Sequence, residues 1–178
     1  IYYGAPYYIG GSDDLRFEEK GYAVAEDNIY NPEKILGTTL DSYDNTAFFA
    51  VYMAILIKIS DFFGGYSTFI PRIANIYILI WILIIFEYFL SKYSNFSHEK
   101  VKHVILITGL TPNVLYINSY IFRDTLNLFQ IFLIMYVFER LIDVRKFTKK
   151  LFYAVALLFL FYITFYTRKS SLVFAIAL

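Results

Sequence analysis

Three short stretches of this chain carry residues that could do chemistry. The first is Gly10-Gly11-Ser12-Asp13-Asp14-Leu15-Arg16-Phe17, where two adjacent carboxylates follow a glycine pair. The second is Arg123-Asp124, and the third is Thr167-Arg168-Lys169-Ser170. A carboxylate can take a proton from an attacking hydroxyl or amine. Arginine and lysine can hold a phosphate and spread its charge. Each stretch also has a plainer reading. Asp13 and Asp14 would favour the N-terminal dipole of a helix over about 14–28, Asp124 would do the same for a later helix, and Arg168-Lys169 would anchor a span by snorkelling. From the residues alone both readings stand.

The elements that must position these groups are hydrophobic. Apolar residues make up 58% of the 178, against about 45–50% in a soluble domain. The apolar runs, at roughly 16–20 residues, have the length of membrane spans. Spans are expected at about 73–90, 101–117 (interrupted by Gly109 and Pro112), 125–142 and 151–166, with a further run at 171–178. The fold class is therefore all-α, a polytopic transmembrane helix bundle. Residues 1–46 read as an acidic loop with short helices, 47–65 as a juxtamembrane or re-entrant helix, and 66–178 as the bundle. Because the chain starts on Ile1 and stops at Leu178 inside an apolar run, a bundle lacking its first helix and its C-terminal part is expected.

Charge divides the chain. Residues 1–46 hold nine acids and three bases, and the rest holds six acids and thirteen bases. The basic connections, 91–102 and 143–150, are two spans apart, so the excess of positive charge on cytoplasmic loops puts both inside. The connections at 64–72, 118–124 and 167–170 then face outward. If 47–63 lies along the membrane instead of crossing it, residues 1–46 face outward too, beside Asp124. The Lys58/Asp61 pair on one helical face and the short length favour that arrangement.

Other chemistry is excluded or weak. The chain has no cysteine, so a disulfide framework, a thiolate metal site and a thiol nucleophile are all ruled out. His98 and His103 have no second ligand at helical spacing. Glu87, Glu139 and Arg140, near cytoplasmic helix ends, are expected to be solvated. No phosphate-binding loop, zinc pattern or nucleic-acid signature occurs, and nucleic acid is not an expected partner.

The order of these features resembles the GT-C class of membrane glycosyltransferases, the protein O-mannosyltransferase-like and aminoarabinose-transferase-like enzymes. The residues carrying it are Asp13-Asp14-Leu15-Arg16-Phe17 with Gly21, Ala23 and Ala25, then Phe62-Phe63-Gly64-Gly65 before Pro71-Arg72-Ile73-Ala74-Asn75, then Pro112, Ser119 and Asp124, and last Thr167-Arg168-Lys169. The family's Pro-Pro-Leu element is absent, and Asp41–Thr46 stands in its place. The resemblance implies sugar transfer from a polyprenyl-phosphate donor to a lipid, glycan or protein acceptor, with inversion, on the outer face of a bacterial inner membrane. It implies Asp13 as base, with Asp14 beside it as a metal or acceptor contact, and Asp124 as the second catalytic acid. Arg123, Arg168 and Lys169 would bind substrate. No cofactor is implied with certainty. A divalent cation, held by Asp13 and Asp124, is the option it leaves open. The alternatives are an O-antigen or exopolysaccharide repeat-unit polymerase and a lipid or polysaccharide transporter.

Overall fold

The computed structural model describes residues 12–26 and 47–168, and among the described residues there are seven helices and no strand. In chain order they are α1 (Ser12–Glu26), α2 (Ala47–Phe62), α3 (Phe69–Tyr93), α4 (His98–Leu110), α5 (Pro112–Asn118), α6 (Arg123–Asp143) and α7 (Phe147–Thr167). The expected run at 171–178 lies outside the described residues.

Helices α3, α6 and α7 are long and apolar enough to cross a membrane. At 1.5 Å per residue, the 25 residues of α3 reach about 37 Å, against a hydrocarbon core of about 30 Å. The 21 residues of α6 and of α7 reach about 31 Å each. The chain is a membrane-associated all-α bundle. α3 runs several residues past its apolar stretch at both ends, α7 does so at its N-terminal end, and α6 matches its stretch within two residues.

The span expected at 101–117 is not one helix: it is divided into α4, of 13 residues, and α5, of 7, and neither is among the helices long and apolar enough to cross a membrane. Pro112 has no N–H and biases the residue before it away from helical backbone, and Thr111 sits at φ −57°, ψ 126°. Helix therefore stops at Leu110 and restarts at Pro112. The two pieces still return the chain along α3. Gly109 lies against the tip of the Leu83 side chain of α3, which would have to turn aside for a Cβ there. At the far end the Asn75 amide donates to the Tyr120 carbonyl at 2.7 Å.

Ion pairs fix which loops share an end. Lys92, in the last turn of α3, binds Asp143 at the end of α6 (2.6 Å) and also Glu139. The two basic connections therefore lie together, as two antiparallel crossings require. Glu139 is not solvated as its position near a helix end suggested. It is 7% exposed, and Tyr93 donates its hydroxyl to Oε1 at 2.9 Å. Arg140 is held over the rings of Tyr88 and Tyr136, 5.0 Å from each centroid.

At the other end α1 and α2 form a pair. Phe49, Met53 and Ile57 recur every four residues along one face of α2, and all three are buried. Val24, Ala25 and Gly21 of α1 pack onto that face. Phe49 and Met53 also meet Ile121 and Leu126, which joins the pair to the bundle. The opposite face of α2 leaves Ile55, Ile59, Lys58 and Asp61 exposed. With 16 residues, about 24 Å, α2 is shorter than the hydrocarbon core. It ends at Gly64 and Gly65, with φ of +115° and +118°, backbone that glycine adopts without strain.

Candidate functional site

The end bearing α1 is built around Asp14. It lies in the first turn of α1, where a carboxylate suits the helix dipole, yet it is fully buried. Its Oδ1 accepts the Ile121 N–H at 3.0 Å, and its Oδ2 faces the Arg72 guanidinium at 3.5 Å. Ile121 stands in the tight turn between α5 and α6, where backbone donors have lost their helical partners. One aspartate thus satisfies that turn and neutralises an arginine that is itself only 6% exposed. From the other side Asn75 holds the preceding residue, Tyr120. The turn is gripped by α1 and α3 at once.

This grip sets the start of α6. Arg123 is half-buried and Asp124 is exposed. Asp124 Oδ1 pairs with Arg168 Nη1 at 2.6 Å, so the residue after α7 is tied to the first turn of α6. Behind that pair the Gln130 amide donates to Thr167 Oγ1 at 2.9 Å. Thr164, Thr167, Asn127 and Gln130 are all buried between α6 and α7. The span interior near this end is therefore amide- and hydroxyl-rich, unlike the Leu, Ile and Phe that fill the rest.

Cations gather on the same end. Arg16 and Lys20 are four residues apart on one face of α1, and Lys20 feels both Arg16 and Arg123. Burial first, then those two charges, push the Lys20 ammonium below its ordinary value. Positive side chains gathered at one end contribute to a local potential that attracts anions. Chemically, this end offers phosphate-binding groups next to an exposed carboxylate.

The residues expected from the sequence divide as follows. Asp14, Arg123, Asp124 and Arg168 all come to this end. Asp14 keeps no exposed surface, and both its oxygens are engaged within the protein, so no acceptor or metal reaches it in this arrangement. Asp13 is the second residue of α1, but its side chain lies outside the described residues, as does Lys169 entirely. Arg168 is bound to a carboxylate, not standing open to a phosphate. Among the described residues no group of three or more His, Cys, Asp or Glu side chains could hold a metal ion. Sequence reasoning missed the parts played by Arg16, Lys20 and Asn75. The i, i+4 spacing of Arg16 and Lys20 was a readable signal for the first two, whereas nothing local marks Asn75.

No protein-family model, curated protein or solved structure matches this chain.

Proposed function

We propose that the protein is an integral membrane glycosyltransferase that moves a sugar from a polyprenyl-phosphate donor to a lipid, glycan or protein acceptor. The active site would face outward, on a bacterial inner membrane. One observation carries the reading. The buried Asp14 holds the start of α1, and with it Asp13, at the bundle end where Asp124, Arg168, Arg123, Arg16 and Lys20 collect. A proton acceptor and a cationic field then stand within one site.

In the reaction the acceptor oxygen attacks the anomeric carbon and forms the new glycosidic bond. The bond from that carbon to the phosphate oxygen breaks, and its electron pair leaves with the lipid phosphate. Asp13 takes the acceptor proton. Arg123, Lys20 and Arg16 stabilise the growing negative charge on the phosphate, Lys169 adds to them, and Arg168 orients Asp124 through their ion pair. Attack opposite the leaving phosphate inverts the anomeric centre. Asp14 acts as a positioning residue.

The number of cations also favours a second reading, a repeat-unit polymerase. A lipid-diphosphate oligosaccharide carries more charge than a monophosphate sugar and would engage more of them. The test is transfer from each labelled donor by the full-length protein in proteoliposomes. Asp13→Asn is expected to lower turnover by about 10²–10⁴-fold, the range of a lost general base, with the protein still inserted. Retained turnover would sink the assignment. Turnover of the diphosphate oligosaccharide alone would replace the first reading with the second.

A further inference from the structure

At the end opposite the candidate site, the turn into α7 gathers Arg145, Lys146, Lys149 and Lys150 within six residues, and all four are exposed. None of these side chains makes an ion pair among the described residues. The acids that precede them are already engaged. Asp143 binds Lys92, and Glu139 binds Lys92 and Tyr93. The rest of this end does not restore the balance. Residues 87–103 and 139–150 hold eight Lys and Arg against four Asp and Glu.

These cations do not serve the helix that carries them. Lys146 stands at the N-cap of α7, and Lys149 and Lys150 follow in its first turn with no acid among them. A cation there opposes the helix dipole. Lys146 and Lys150 are also one turn apart, the spacing at which like charges repel. An anion held among the four relieves both terms.

Depth selects the anion. α7 is long and apolar enough to cross a membrane, and it is the least buried of the three helices that are. In the turn after the cations it exposes Leu151, Phe152 and Val155. The cluster thus stands where a span leaves the hydrocarbon, with open apolar surface next to it. A phospholipid has the same order, its phosphate adjoining its acyl chains. A zwitterionic headgroup brings a further cation to a site already rich in them, whereas a headgroup of net negative charge does not. Basic residues beside a span attract lipids of that kind. We propose that the turn into α7 binds an anionic phospholipid. Arg145, Lys146, Lys149 and Lys150 hold its phosphate, and its acyl chains lie against α7 from Leu151 onward. The proposal is independent of the reaction at the other end.

The test is binding of labelled phosphatidylglycerol and phosphatidylcholine, with identical acyl chains, to the full-length protein in mixed micelles. Phosphatidylglycerol is expected to bind about tenfold more tightly at low salt, a step that one or two cation contacts supply. The ratio should shrink toward one at about 1 M salt, where charges are screened beyond about 3 Å. Changing Arg145, Lys146, Lys149 and Lys150 together to Gln should erase the preference and leave phosphatidylcholine binding as it was. Should that variant fail to insert, Lys149→Gln with Lys150→Gln must still narrow the preference. Lys100→Gln with Lys102→Gln, on the neighbouring connection, must keep most of it. Equal binding of the two lipids, or a preference unchanged in the α7 variants, would overturn the proposal. So would displacement of the lipid by an equal concentration of glycerol phosphate, because the site would then take a free phosphate. A photoreactive residue at Phe152 should capture lipid, and capture of polypeptide in its place would equally overturn it.

Discussion

The two ends of the bundle both bury an acid against a base, and they use it differently. At one end Asp14 reaches Arg72 across 58 residues and Ile121 across 107, joining a helix that does not span to helices that do. At the other, Lys92 meets Glu139 and Asp143 between two helices already packed along their length, with 35% of the lysine side chain exposed. The first arrangement is a latch, because it ties α1 to residues far along the chain through a fully buried carboxylate. The second trims a contact that apolar packing would make anyway. Burial, more than the number of ion pairs, decides what each is worth.

Breaking the latch tests this most severely. Asp14→Ala leaves the Arg72 charge buried and Ile121 N–H without its acceptor, at a cost of about 3–5 kcal/mol. The expected result is release of α1, read as protease cleavage within 12–26 while α3, α6 and α7 stay protected. A coincident loss of all helices would show that the two ends are not separable.

The next test concerns the α1–α2 contact beneath the latch. A Cβ on Gly21 would lie 2.7 Å from Met53 Cβ, which is fixed to the α2 backbone. Gly21→Ala should cost about 1–3 kcal/mol in overpacking. A Cβ on Gly109 meets only the tip of Leu83, also at 2.7 Å, and that tip can turn away. Gly109→Ala should therefore melt closer to the parent protein. The reverse order would mean that α4 grips α3 more rigidly than α2 grips α1.

Lys92→Met removes the pairing at the other end and should cost clearly less than Asp14→Ala, since the lysine is partly exposed and Tyr93 still donates to Glu139. A cost equal to that of Asp14→Ala would abolish the distinction between latch and trim. Smallest, and opposite in sign, is Lys20→Gln. The Lys20 ammonium is disfavoured in the fold, so it destabilises wherever both states are protonated. That penalty fades as pH rises through its lowered folded value toward the ordinary 10.5. The variant should be slightly more stable than the parent at neutral pH and lose its advantage near pH 10.5. An advantage that persists at high pH would exclude charge as the cause.

The three long spans were legible because a helix in lipid needs a long apolar run, whereas the run at 101–117 read as a fourth and folds as two short helices. The break before Pro112 was legible because proline acts locally. The Asp14 latch was not. An aspartate at a helix start reads as a cap, and no local pattern announces an arginine and an amide that lie 58 and 107 residues away. Glu139 misled for a related reason, since a charge near a helix end reads as solvated until a neighbouring helix brings Lys92 and Tyr93. Asp124 and Arg168 were both singled out, one for chemistry and one for phosphate, but their pairing depends on α6 and α7 being antiparallel neighbours. Whatever depended on a partner far along the chain stayed hidden in the sequence.

The latch also fixes an order of birth. Asp14 leaves the ribosome 107 residues before the amide it will capture. At about 5–20 residues per second, that is a delay of roughly 5–20 s. Only in its later part can α1 pair with α2 and meet Arg72, 58 residues on, and even then the amide that completes the lock is still unmade. The end proposed to be catalytic is therefore the last to be assembled, although its first carboxylates are among the first residues described.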